Sequence, residues 1–449
     1  VKFFIDQHGC AKNQVDGEEI AARLEDAGNE YVASVEEADL IIVNTCGFIE
    51  SAKRESIDAT IRMKTQWPGK KVLLAGCLAQ RYPEALLQDM AEADGIFGNA
   101  DLSLVKAAVE KTMEGERSAL APAQPPTIDG HFYVRTRLFD FPGVAHLKIT
   151  EGCGNHCTYC AIPLIRGNLR SRSIDDVARE CESLIGAGIY EINLIGQDLG
   201  AYGRDMASSA DPGGAKNPDL PSLLRRLSSL EGEFRIRVLY IHPDHFPDEI
   251  LEVMAKDSRI LPYFDLPFQH ASERILRAMN RKGSSRKYLE LIGKIRARLP
   301  ESMIRSTFLV GFPGETDEDF EILRAFQEEA KLDWLGVFAY SREEGTPAYS
   351  MKGRVSKKTA NQRKSLIEAA QEPITSERLK RFIGVETEVI TEETVEGSPL
   401  SLGRAWMQAP DVDGLTVIKG SVAPGERRKV RIVAVNGVDF EAEPLGAEA

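Results

Sequence analysis

The apolar positions of this chain fall into three successive regimes. Up to about residue 116, short apolar runs ending at Ile5, Val43 and Ala75 alternate with amphipathic stretches such as 16–27 and 49–63. Alternation of that kind predicts a parallel sheet with helices between its strands. From residue 142 it recurs six times, with strands near 145–149, 191–195, 236–241, 263–266, 304–310 and 336–340. Six units are too many for a small doubly wound domain and too few for a closed eight-unit barrel. A partial, open (βα)6 barrel is predicted, with its site at the carboxyl ends of the strands. After a long polar helix that ends by Gly384, short alternating segments at 388–391, 415–419 and 429–435 predict a small all-β barrel or sandwich. The fold class is thus α/β with an all-β C-terminal unit. The units run 1–116, a linker at 117–141, 142–372, and 373–449 with the helix end included; the proline-rich 121–126 marks the linker.

Composition narrows the class. With 449 residues, 43% of them hydrophobic and 28% charged, the chain can bury several cores, which excludes disorder and collagen-like structure. No apolar run approaches the roughly 18 to 20 residues of a membrane span, and no basic-then-apolar leader opens the sequence. A cytoplasmic protein with no membrane partner is expected. The net charge of −13 is uneven: residues 1–116 carry 12 Lys and Arg against 21 Asp and Glu, and residues 384–449 carry 6 against 12. Neither balance suits gripping nucleic-acid phosphates, whereas a basic protein partner fits both.

Seven cysteines are too sparse for a disulfide scaffold, and their positions carry the chemistry. Cys153, Cys157 and Cys160 form C-x-x-x-C-x-x-C in a Gly-containing loop directly after the first strand of the middle unit. Zinc in a structural site wants four ligands, and the nearest extra one, His156, is adjacent to Cys157 and poorly placed to close the tetrahedron. A 4Fe-4S cluster on three cysteines leaves one iron free to chelate a small molecule. Cys10, Cys46 and Cys77 lie far apart in sequence, yet each follows a predicted strand of the first unit within about five residues. In a parallel sheet those positions share one edge, where they can meet and hold a second cluster. Cys181, on a predicted helix, reads as a core residue.

The Cys153 loop resembles the cluster motif of the radical S-adenosylmethionine (SAM) superfamily, whose partial six-unit barrel matches the strand count. The resemblance implies that the open iron binds SAM, and that reduction cleaves SAM to methionine and a 5′-deoxyadenosyl radical. Two triplets plus a small β unit resemble the methylthiotransferases over essentially the whole chain. Three blocks look like their RimO branch, the ribosomal-protein aspartate methylthiotransferases: Gly9-Cys10-Ala11-Lys12-Asn13 with Val15-Asp16, the run from Asn44 to Lys53, and Gly403-Arg404 leading to the stretch from Ala409 to Gly414. In that family the terminal domain is called TRAM, and the sister branch modifies a tRNA adenosine.

The implied activity is insertion of a methylthio group at the β-carbon of an aspartate in the twelfth protein of the small ribosomal subunit, free or on the assembled subunit. One SAM supplies the methyl group and a second supplies the radical, with a low-potential protein as electron donor. The Cys153 cluster generates the radical and the Cys10/Cys46/Cys77 cluster carries the sulfur. Methylthiolation of tRNA is the enzymatic alternative, made less suitable by the acidic terminal unit, and a metal-stabilised ribosome- or RNA-binding module is the non-enzymatic one. For SAM itself the resemblance points to Gly196 and Gln197 after the second strand, where the superfamily has Gly-Gly-Glu, and to Gly311 after the fifth. Asp198, His242, Gln269 and His270 also sit at strand ends.

Overall fold

The computed structural model describes residues 1–128, 133–206 and 217–446. Six parallel strands build the first sheet: β1 (Lys2–Gln7), β2 (Glu30–Tyr31), β3 (Leu40–Thr45), β4 (Lys71–Gly76), β5 (Gly95–Gly98) and β6 (Ala119–Leu120), in the order β2-β1-β3-β4-β5-β6. β3 is buried at every position because helices cover both faces of the sheet. The pairing Gln7↔Asn44 and Thr45↔Gly76 aligns the carboxyl ends of β1, β3 and β4. That register fixes where the following residues emerge: Cys10 caps helix α1 (Ala11–Asp26), Cys46 leads toward α2 (Glu50–Gln66), and Cys77 opens α3 (Cys77–Arg81).

The middle unit is built on β7 (Val144–Lys148), followed by a small ribbon of β8 (Thr150–Glu151) and β9 (Arg170–Ser171), then β10 (Glu191–Ile195), β11 (Arg235–Val238), β12 (Ile260–Asp265), β13 (Met303–Val310) and β14 (Trp334–Ala339). β7 and β10 to β14 pair in parallel in sequence order, an open sheet of six strands as the periodicity predicts. Its core is a continuous apolar cluster between sheet and outer helices, and Cys181 is buried in it. The last unit closes into a five-stranded barrel of β15 (Glu386–Thr394), β16 (Leu400–Ala405), β17 (Thr416–Lys419), β18 (Arg427–Asn436) and β19 (Asp439–Pro444).

The structure departs from the sequence reading in several places. β2 and β6 have two residues each and β5 is bounded by glycines, so none shows a period long enough to read. β6 lies inside the segment read as linker. The strand placed at 236–241 ends at Val238, because Tyr240 takes a left-handed backbone, φ +62°. Glu392, Glu393 and Glu396, which the sequence places together in a turn, divide: Glu392 and Glu393 belong to β15, and Glu392 is buried against Arg404.

The three units are tied by buried charge. Arg135 joins Glu18 of α1 to Glu180 on the barrel's outer helix. Arg404 of β16 reaches Glu191 at 3.0 Å, and Trp334 donates to the carbonyl of Met407 at 2.9 Å. Arg135 thus holds the first unit to the barrel, and the other two contacts hold the terminal unit to it.

Candidate functional site

At the edge of the first sheet, one side chain organises the strand ends. Asn13 donates to the carbonyls of His8, Asn44 and Thr45 at 2.8 to 3.2 Å and accepts from the Cys77 thiol at 3.7 Å. Space is so short that Gly47 and Gly76 must be glycines. A Cβ on Gly47 would lie 2.8 Å from the Cys77 carbonyl, and one on Gly76, which is at φ +95°, would lie 2.6 Å from Asn44 Oδ1. Cys10, Cys46 and Cys77 come within electrostatic reach of one another, as expected from their equivalent places after the strands. Burial pushes the Cys46 thiol up to about 12 and raises Cys77. Burial acts the same way on Cys10, but Lys12, Arg166 and the amide N–H groups of Asn13 and Lys12 outweigh it and lower that thiol.

Arg166 belongs to the other triplet's neighbourhood. It ends the short helix Ile162–Arg166 that follows Cys160, and it is buried. Its guanidinium donates to Asp16 at 2.8 Å, to Glu151 at 2.8 Å and to Cys77 Sγ at 3.2 Å. Lys148 closes the ring, 2.5 Å from Asp16 and 2.8 Å from Glu151. One fork therefore links the strand-end thiols to the barrel loop that carries Cys153, Cys157 and Cys160.

In that loop Gly152 is at φ +73°, and a Cβ there would lie 2.0 Å from the Asn168 carbonyl. Cys157 is buried and its neighbours are half-buried. Burial raises Cys153 to about 11 and Cys160 to about 12, and the thiols of the triplet act on one another. His156 is exposed with φ +48°, turned out of the loop. Arg281 is buried with its guanidinium 3.9 Å from Cys157, and its Nε lacks a partner. Each triplet thus has a buried arginine beside one thiol, which suits an anionic metal-thiolate centre better than neutral thiols. Among the described residues no three ligating side chains close to the reach of a single ion. A cluster, with one thiolate per iron, does not require that.

The other strand-end residues divide. Gln197 is half-buried, 3.4 Å from Glu151 through Nε2, with its Oε1 buried and unpartnered. Gly196 lies where a Cβ would meet Thr150 Oγ1 at 2.1 Å. Asp198 is spent: it accepts from Gly200, His242 and Asn155, and its Oδ2 lies 2.7 Å from His245 Nδ1. Gly311, where the backbone is expected to open to SAM, donates its N–H to Glu315 at 2.7 Å, and a Cβ there would lie 2.4 Å from Ala360. Close helix packing accounts for that glycine. His242 and His270 accept from loop amides two residues on, and burial lowers both to about 3. Gln269, at φ +68°, bridges to Phe308.

Sequence reasoning assigned no role to Asp16, Arg166, Lys12 or Tyr240. Asp16 and Lys12 stood inside a quoted block, and Arg166 lies one short helix beyond Cys160, but nothing in the spacing joined them. Tyr240, whose left-handed backbone costs about 1 to 3 kcal/mol, holds its ring 3.7 Å beneath the Lys12 ammonium. Burial raises its hydroxyl, and Asp265 of β12, Cys10 and the loop residue Asp411 push the same way, so all three units meet at this recess.

Comparison with known proteins follows the same division. Residues 2–98 match the model of "Uncharacterized protein family UPF0004", residues 147–326 the radical SAM superfamily, and residues 383–445 the TRAM domain. The chain is 48% identical to the ribosomal protein uS12 methylthiotransferase RimO of Treponema denticola, over 98% of this chain and 99% of that one. It is 42% identical to the protein of the same name from Thermotoga maritima, over 94% and 95%. Among solved structures, the radical SAM methyltransferase TsrM of Kitasatospora setae superposes with a TM-score of 0.53 at 16% identity, over 77% of this chain and 74% of that one, a likeness of fold alone.

Proposed function

The chain belongs to the radical SAM methylthiotransferase family, in the branch of the ribosomal protein uS12 enzymes, and on that premise we propose that it replaces a β-hydrogen of a uS12 aspartate with a methylthio group. Its cofactors are SAM and two 4Fe-4S clusters. When bound, these supply the 5′-deoxyadenosyl radical, the sulfur and the methyl group.

The chain's own residues divide the work by place. Cys153, Cys157 and Cys160 hold the radical-generating cluster, with Arg281 balancing its thiolates, and the unpaired Gln197 Oε1 beside Gly196 offers SAM an acceptor. Cys10, Cys46 and Cys77 hold the sulfur-carrying cluster, their strand ends fixed by the packing of Asn13, Gly47 and Gly76. The observation that carries this reading is the Arg166 fork, which joins Cys77 and Asp16 of the first unit to Glu151, two residues before Cys153. Electrons come from a low-potential donor protein. The acidic terminal barrel favours a basic ribosomal protein over tRNA, the alternative substrate.

The test is Cys10→Ala in the anaerobically reconstituted protein. Methylthio product should vanish while SAM cleavage under strong reductant continues. Loss of both activities in a fully loaded barrel would contradict the division of labour.

A further inference from the structure

The recess beside Cys10 contains a positive charge that no carboxylate among the described residues pairs with directly. Lys12 is the second residue of α1 and only 9% exposed, with its ammonium over the Tyr240 ring. Among the described residues, no carboxylate lies within 4 Å of it and no oxygen accepts from it. The carboxylates that act on it from further away are engaged elsewhere. Asp265 takes Arg305 at 3.3 Å and the Tyr240 N–H at 3.3 Å, while Glu151 takes Arg166 and Lys148.

The Tyr240 ring offsets only part of the cost of this arrangement. A buried cation without a counter-ion is costly, and a cation in the first turn of a helix opposes the macrodipole. A negative group from outside the chain would remove the cost. Lys12 follows Cys10 by two residues, so an anion held by its ammonium lies at the corner of the recess where the first sheet, the barrel loop of Tyr240 and the terminal unit meet.

We propose that Lys12 anchors the carboxylate of the substrate side chain, and that this charge selects an aspartate over neutral targets. The inference rests on the reading of the target as an aspartate and adds the residue that recognises it. The competing use of the same charge, balancing the thiolates of Cys10, Cys46 and Cys77, predicts no such selection.

The test is binding without turnover. The reconstituted, oxidised protein is titrated with two peptides spanning the modified loop of uS12, one with aspartate and one with asparagine at the target position. The wild type should bind the aspartate peptide roughly ten- to a hundredfold more tightly, the range for a charge-assisted hydrogen bond. Lys12→Gln should bind both alike, and Lys12→Arg should keep the preference. Equal binding of the two peptides by the wild type would overturn the proposal without any variant. Retention of the preference by an iron-replete Lys12→Gln protein would overturn it too. A wild type that prefers the aspartate peptide yet never transfers a methylthio group to it would instead contradict the activity and leave the anchor standing.

Discussion

Two residues show how much of this molecule rests on single buried charges. Arg166 satisfies Asp16, Glu151 and Cys77 together, so its removal leaves two buried carboxylates to Lys148 alone. Breaking such a pair costs about 3 to 5 kcal/mol. Arg166→Leu should lower thermal stability and empty the first triplet of iron, and Arg166→Lys should rescue little, since a compact ammonium lacks the extended planar fork that reaches these acceptors together. Iron analysis with a melting curve checks both. Asp413 behaves differently. Burial lifts its carboxyl to about 6, against the pull of Arg305 and the Tyr263 hydroxyl. A carboxyl raised on folding contributes stability below its unfolded pKa and loses it as pH rises through 6. The shift of about two units corresponds to about 3 kcal/mol. Anaerobic denaturant titration should show the wild type weakening between about pH 3.5 and 7 by most of that amount, and Asp413→Asn should flatten the trend.

At the scale of elements, the decisive feature is register. Thr45↔Gly76 pairing brings Cys46 and Cys77 out side by side, and the left-handed Gly76 turns the chain into α3 without striking Asn44. Gly76→Ala should therefore strip the first triplet, leaving about four of about eight iron atoms per chain, with the barrel's cluster retained. Loss of all iron would contradict the independence of the two sites. This part of the site was legible in the sequence, because strand ends and cysteines both show as local patterns. What escaped depends on long-range packing. Arg166 meets Asp16 across 150 residues of chain, Tyr240 ends its strand early through a backbone conformation that no periodicity reports, and Glu392, read as a turn residue, is buried in a strand against Arg404. The glycine at 311 was visible, but its cause, the approach of Ala360, was not.

For the whole molecule, the terminal barrel does two jobs. Its loop through Asp413 closes against Tyr263 and Arg305 of the open sheet, and its outer face leaves Glu393 and Glu396 exposed. Reversing those two charges, and leaving the buried Glu392 alone, should slow modification of uS12 severalfold at low salt. The difference should shrink as salt rises, because screening acts over about 8 Å at physiological ionic strength. An effect independent of salt would place these residues in direct contact with the substrate instead of in its steering.

The most direct test compares cells with and without the gene, by intact mass of the small-subunit ribosomal proteins and by nucleoside analysis of tRNA. The account predicts that uS12 loses the mass of one methylthio substitution on deletion while tRNA nucleosides stay unchanged. Loss of a methylthioadenosine with uS12 unaltered would contradict it.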